Sequence, residues 1–143
     1  MSQVHYQQLN LIRLPIVNKL YKDFYPAGKA KRDEILWVGE SPQGIVCCVR
    51  FKSIGELQLL TGMLVKPEFR GQKIATHLLQ HAIPQIKQKP CYCFAFIELE
   101  ALYQHAGFIT LSPQQLPHDL QQRFGRYCNS GKKLIPMQYK VQP

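Results

Sequence analysis

Apolar positions change their spacing several times along this chain, and each change marks a predicted element. Residues 4–10 (VHYQQLN) alternate loosely, as a first strand does, while Leu11, Leu14, Val17, Leu20, Tyr21 and Phe24 recur at helical spacing in a segment running to Tyr25. Pro15 splits this region or begins a second helical turn, and Pro26 with Gly28 ends it. A basic loop at residues 29–32 follows. Three β-rich runs come next: residues 35–40, residues 45–51 after the Ser41-Pro42-Gln43-Gly44 turn, and residues 56–65 after Ser53-Ile54-Gly55. They read as an antiparallel meander. Beyond residue 70 the period is helical again, with Ile74, Leu78 and Ala82 on one stripe and Leu79, Ile83 and Ile86 beside it. Pro84 should kink or nearly end that helix, and Lys89-Pro90 closes it. Residues 91–97 (CYCFAFI) are too apolar and too short for anything but a buried strand. A short helix over residues 98–105 stops at Gly107, and residues 108–111 form another strand. The tail holds a helix from Pro117 to about Tyr127 and a last strand around residues 134–139.

The 143 residues fit one domain, spanning 1–143, and 45% hydrophobic with 19% charged residues is a globular composition. No stretch approaches the roughly 18 uninterrupted apolar residues of a membrane helix, and the N-terminus lacks the basic-then-apolar order of a secretion signal. We therefore expect a soluble, cytoplasmic protein with no membrane partner. Eighteen Lys and Arg against nine Asp and Glu leave a net charge of +9, which favours anionic partners without choosing among phosphates, nucleic acid and acidic headgroups. Cys47, Cys48, Cys91, Cys93 and Cys128 form no C-x-x-C pair. Reduced thiols used as small core residues are expected, rather than a metal site or a disulfide framework.

The chemistry concentrates between Val65 and Thr76, where a strand ends, a Pro-containing turn follows and residues 70–75 open a helix. The first turn of a helix leaves about four backbone N–H groups unpaired and carries the positive end of the macrodipole, so it attracts anions. Small side chains at Gly71 and Ala75 let a pyrophosphate approach the backbone, and Arg70 and Lys73 add charge. Taken alone, the segment is equally consistent with a strand-Gly-helix junction made for packing.

Residues 64–79, LVKPEFRGQKIATHLL, closely resemble the acyl-CoA-binding motif of the GNAT superfamily of N-acetyltransferases, V-x-P-x-x-[RQ]-x-x-G-x-[GA]. Val65, Pro67, Arg70 and Ala75 fit, while Lys73 stands where the family usually has Gly. Its side chain must then point outwards or reach round to a phosphate. Tyr103, Gly107 and Phe108 match the family's second motif, Y-x-x-x-G-F, at the expected distance. The resemblance covers nearly the whole chain and least of all residues 112–131. It implies an α/β (α+β) fold, with a mixed central sheet of about 6–7 strands splayed between strands four and five and flanked by helices.

By the same resemblance the cosubstrate is acetyl-CoA, with no metal. Its pantetheine arm is expected to pair with the backbone of Met63, Leu64 and Val65, and its pyrophosphate to lie on the amides of Gly71, Gln72, Lys73, Ile74, Ala75 and Thr76, beside Arg70. A backbone N–H near Leu64 is the expected oxyanion donor. Tyr103 is the expected acid for the departing thiolate, a role in which positioning counts for more than acidity.

The general base is open. The family's strand-four and strand-five carboxylate positions correspond here to Leu59 and Cys91, neither of which takes a proton usefully. Glu56, Glu98, Glu100 or a water remain, although each carboxylate also reads as an ordinary solvated charge. His77 and His81 share a helical face without the carboxylate of a zinc-protease helix, and packing is the better account. The acceptor amine, with an acidic one suited to the basic residues, is expected to be set by the loop holding Tyr25, Lys29, Lys31 and Arg32 and by residues 112–127. Two alternatives stand beside this reading: a non-catalytic CoA-binding domain, and a basic RNA- or tRNA-associated module with the same fold, although no RNA-binding signature is present. A monomer and a homodimer are both compatible with the chain.

Overall fold

The computed structural model describes residues 3–24 and 28–140. In chain order they form β1 (His5–Gln8), a 3-10 turn (Leu11–Arg13) running into α1 (Leu14–Phe24), then β2 (Ile35–Ser41), β3 (Gly44–Ile54) and β4 (Leu57–Val65). Next come α2 (Ile74–His81), α3 (Ile83–Ile86), β5 (Cys91–Phe96), α4 (Glu100–Ala106), β6 (Phe108–Thr110), α5 (His118–Asn129) and β7 (Leu134–Tyr139). The seven strands make one sheet in the order β1-β2-β3-β4-β5-β7-β6. Every neighbouring pair is antiparallel except β4 and β5, which run parallel.

The strand alternation sends neighbouring side chains to opposite faces, each covered by helices. On one face Cys47, Val49, Cys91 and Cys93 pack with Ile74, Leu78 and Leu79 of α2 and Tyr103 of α4. On the other, Leu36, Val38, Cys48 and Leu64 pack under Leu14, Val17, Leu20 and Tyr21 of α1, while Leu59 and Tyr92 pack under Leu120 and Phe124 of α5. Four of the five thiols are thus buried as apolar filler, and Cys128 is partly exposed. Pro15 sits in the first turn of α1, where a missing N–H costs nothing. Pro84 divides the long helix expected after residue 70 into α2 and α3.

The feature that positions the site is the divergence of β4 from β5. Their pairing consists of Gln58 with Cys91, Leu59 with Tyr92 and Leu60 with Cys93. Beyond it, β4 stays with β3 while β5 continues along β7. A bulge causes the parting: Cys48 opposes Leu64 but Arg50 opposes Thr61, so Gly62 and Met63 share the place opposite Val49. Gly62 takes φ +66°, a conformation in which glycine carries no side-chain penalty. Its carbonyl accepts a 2.6 Å hydrogen bond from the Tyr21 hydroxyl, which ties the bulge to α1. The closed end is pinned separately. Gln58 donates through its backbone N–H to the Pro90 carbonyl at 2.9 Å and through Nε2 to the Gln85 carbonyl at 2.8 Å, and Gln85 Nε2 returns a 3.0 Å bond to Gln58 Oε1.

Candidate functional site

The turn after β4 prepares a row of amides. Arg70 is extended, Gly71 has φ +80°, and Lys73 caps α2 in the left-handed region at φ 61°, ψ 23°. The first helical bond runs from the His77 N–H to the Lys73 carbonyl at 3.1 Å, so the amides of residues 71–76 are not consumed by backbone carbonyls among the described residues. The helix therefore starts at Ile74, four residues later than the sequence pattern suggests, because residues 70–73 curl into the turn instead. The left-handed turn also explains why a glycine is the ordinary occupant of position 73. Lys73 meets the same backbone requirement at a cost of about 1–2 kcal/mol, and its side chain is exposed at the rim of the adjoining cavity.

That cavity has a volume of about 460 Å³. Met63, Leu64 and Val65 form one wall, Arg70, Gly71, Lys73, Ile74, Ala75 and Thr76 a second, and Phe96, Leu99 and Leu102 close it. Gln72 does not line the cavity, and its side-chain Nε2 donates to the Glu68 carbonyl at 3.4 Å. Arg70 Nε donates to the Val65 carbonyl at 3.2 Å, which folds the guanidinium back over the strand end. Because the Lys66 N–H bonds the Val46 carbonyl at 2.9 Å, antiparallel alternation turns the backbone groups of Leu64 towards Cys48 of β3. The cavity side of the strand is served by Met63 and Val65. The Leu64 side chain packs under α1 on the other face of the sheet.

A wedge of about 40 Å³ between Leu60, Thr61, Gly62 and Met63 on one side and Phe94, Ala95 and Phe96 on the other lies behind this cavity, with Tyr103 at its wall. Met63, Phe96 and Leu99 border both spaces. Tyr103 is 3% exposed and packs edge-on to Phe108, with 5.7 Å between ring centroids, so α4 fixes where its hydroxyl lies. On the opposite face of the sheet a third cavity, of about 90 Å³, shares Leu60, Thr61, Phe94 and Phe96 with the wedge and is completed by Arg50, Tyr127 and Lys132. The three cavities therefore adjoin one another around the gap between β4 and β5.

None of the three carboxylates singled out from the sequence lines these spaces. Glu56 sits in the turn before β4, at the closed end of the strand pair, and Glu98 is exposed in the 3-10 turn Ile97–Leu99. Glu100 accepts a 2.5 Å hydrogen bond from Thr110 Oγ1, which holds it against β6. Leu59 and Cys91 are buried, and burial pushes the Cys91 thiol up to about 12, far from use as a base. His77 and His81 lie against Tyr6, with His81 stacked at 4.7 Å, as packing predicts. Among the described residues no cluster of three or more His, Cys, Asp or Glu is placed to hold a metal. No helix among them is long and apolar enough to cross a membrane.

Around Arg50 the basic loop supplies backbone rather than charge. The Lys29 carbonyl accepts from Arg50 Nη1, and the Lys31 N–H donates to Glu34 Oε1 at 2.7 Å, while the side chains of Lys29, Lys31 and Arg32 are exposed. Tyr25 lies outside the described residues. The charges that do reach the cavity, Arg50 and Lys132, were missed in the sequence. An arginine inside the otherwise apolar run at residues 45–51 is the signal that points to Arg50, because a cation is buried only with partners.

The model of the acetyltransferase (GNAT) domain matches residues 32–110. A search of curated protein sequences returns no significant match. Among solved structures, N-acetylglutamate synthase from Neisseria gonorrhoeae, complexed with coenzyme A and N-acetyl-glutamate, superposes with a TM-score of 0.73 at 16% identity over 100% of this chain and 36% of that one. The chain thus spans about a third of that synthase. The ribosomal-protein-S18-alanine N-acetyltransferase from Escherichia coli gives 0.68 at 13% identity, covering 99% and 96% of the two chains. Arabidopsis thaliana NAA60 in complex with acetyl-CoA gives 0.67 at 12% identity over 96% and 98%. At these identities the structures speak for the fold, which is the one derived above, and the domain match over residues 32–110 carries the family: this chain belongs to the GNAT acetyltransferases.

Proposed function

We propose that this protein is an acetyl-CoA-dependent N-acetyltransferase that passes an acetyl group directly to a primary amine while both substrates are bound. The observation that carries the reading is that three neighbouring cavities share lining residues around the β4–β5 gap, with the amide row of residues 71–76 beside the largest of the three. Relatives solved with coenzyme A or acetyl-CoA support the choice of donor. Bound acetyl-CoA supplies an activated acyl thioester. The chain's own groups do the rest. The backbone of Met63 and Val65 offers strand-like pairing to an amide-bearing arm. The amides of Gly71, Gln72, Lys73, Ile74, Ala75 and Thr76, with the charges of Arg70 and Lys73, stabilise a diphosphate. Tyr103 holds a proton for the leaving thiolate, and the apolar wedge keeps bulk water from competing with the amine. With Glu56, Glu98 and Glu100 away from the wedge, the amine loses its proton to water.

The test has two stages. Acetyl-CoA at about 100 times its dissociation constant should stabilise the protein by about 2.7 kcal/mol, read as a shift in thermal unfolding. Thiol release in the presence of a panel of primary amines should then follow, and Tyr103→Phe should lower kcat by about 100-fold while keeping the thermal shift. Binding without transfer to any amine would mean a coenzyme-binding module rather than an enzyme. Unchanged turnover in Tyr103→Phe would remove the tyrosine from the mechanism.

A further inference from the structure

We infer that the acceptor is an amine carrying a carboxylate and an apolar or aromatic body, an amino-acid-like molecule whose carboxylate is read by Arg50 and Lys132. This rests on the acetyltransferase reading and adds the acceptor's class to it. The third cavity receives two cations and no carboxylate side chain, and its remaining walls are largely apolar, with Phe94, Phe96 and Tyr127 prominent among them. Arg50 is held in place from behind: its Nη1 bonds the Lys29 carbonyl and lies 3.5 Å from Glu34 Oε1, and its guanidinium lies over the Tyr21 ring, 5.0 Å from the centroid. Its Nε is buried yet has no hydrogen-bond partner. That buried Nε and the Lys29 and Glu34 contacts fix the guanidinium, whose edge lines the cavity and offers donors to an acceptor-only group such as a carboxylate.

The position of the guanidinium connects this charge to the chemistry. A Cβ placed on Gly62 would sit 2.5 Å from Arg50 Nε and 3.1 Å from Nη2, so both nitrogens lie against the bulge that opens the wedge. Glu34 already offsets Arg50, whereas Lys132, whose ammonium lies 5.3 Å from the Tyr127 ring centroid, has no carboxylate partner among the described residues. One net positive charge suits a carboxylate better than a phosphate dianion. It also disfavours the ammonium form of an entering amine, which helps a site that lacks a carboxylate base. Lys132, Tyr127 and Leu134 lie outside residues 32–110, the span matched by the family model.

The experiment uses the full chain and first measures the thermal shift with acetyl-CoA, which tests the underlying reading alone. With CoA in place of acetyl-CoA to prevent turnover, binding is then titrated with L-phenylalanine, L-leucine and L-methionine, with the carboxamide of each, with the corresponding decarboxylated amines and with O-phosphoethanolamine. At least one amino acid should bind about tenfold or more tightly than its amide and amine counterparts. Lys132→Met should remove that preference while retaining the acetyl-CoA shift. Arg50→Lys, which keeps the charge opposite Glu34 but loses Nε, should weaken it. An intact acetyl-CoA shift together with equal affinity across each set, no binding of any amino acid, or preference for the phosphorylated amine would overturn the assignment and leave the acetyltransferase reading standing. Absence of the acetyl-CoA shift would defeat the acetyltransferase reading itself.

Discussion

Lys73 is the residue at which backbone geometry and ligand chemistry make opposite demands. Its φ of 61° is the only positive value among the described non-glycine residues, and it falls in the turn that frees the amides of residues 71–76. The strain is local, and the ammonium at the rim is the compensating feature available to a diphosphate. Lys73→Gly should therefore raise stability by about 1 kcal/mol in urea denaturation and weaken acetyl-CoA affinity by several-fold. A variant that gains no stability would show that the left-handed turn is not strained. One that gains stability and affinity together would show that the lysine obstructs the site. The departure from the family motif was visible in the sequence. Its cause was not, because a motif records residue types and not the φ angle they serve.

At the level of elements, the parting of β4 and β5 depends on the bulge and on what presses against it. Gly62→Ala would place a methyl group 2.5 Å from Arg50 Nε and 2.8 Å from the Tyr21 hydroxyl, at a positive φ. Summing a left-handed penalty of about 1–2 kcal/mol and an overpacking penalty of about 1–3 kcal/mol gives a loss of roughly 2–5 kcal/mol. Urea titration checks this, and a loss below about 1 kcal/mol would mean that β4 runs past β5 without needing the glycine. The meander and the helices were legible from their periods of two and near four. The bulge was announced only by an isolated glycine in a β run, a signal shared with plain close packing. The late start of α2 was hidden for a related reason, since Gln72 and Lys73 are ordinary helix formers that the turn overrides.

For the whole molecule, covering both sheet faces buries thiols that gain nothing from ionising. Burial raises Cys47 and Cys91 to about 12 from an ordinary value of 9.0, and Cys48 to about 11, where the hydrogen bond from Tyr21 and the charge of Arg50 offset part of the burial. Each folded value lies above its unfolded value, so the stability these groups contribute is complete below about pH 9 and is lost as pH rises through 11–12. Urea midpoints should be flat up to about pH 9 and then fall steadily. A fall that begins nearer neutrality would point to another titrating group. Most of the wall of the 460 Å³ cavity proposed for the cosubstrate was legible in the sequence because it lies on one continuous strand-turn-helix segment. The cavity proposed for the acceptor was not, because Arg50 from β3 and Lys132 from the tail come together only after seven strands have been ordered.

The most direct test of the central claim is amide hydrogen exchange with and without acetyl-CoA. The account predicts slowed exchange at Met63 and Val65 and across residues 71–76, with β6 and the β2–β3 turn unaffected. Unchanged exchange at residues 71–76 under saturating acetyl-CoA, or protection confined to another part of the fold, would contradict it.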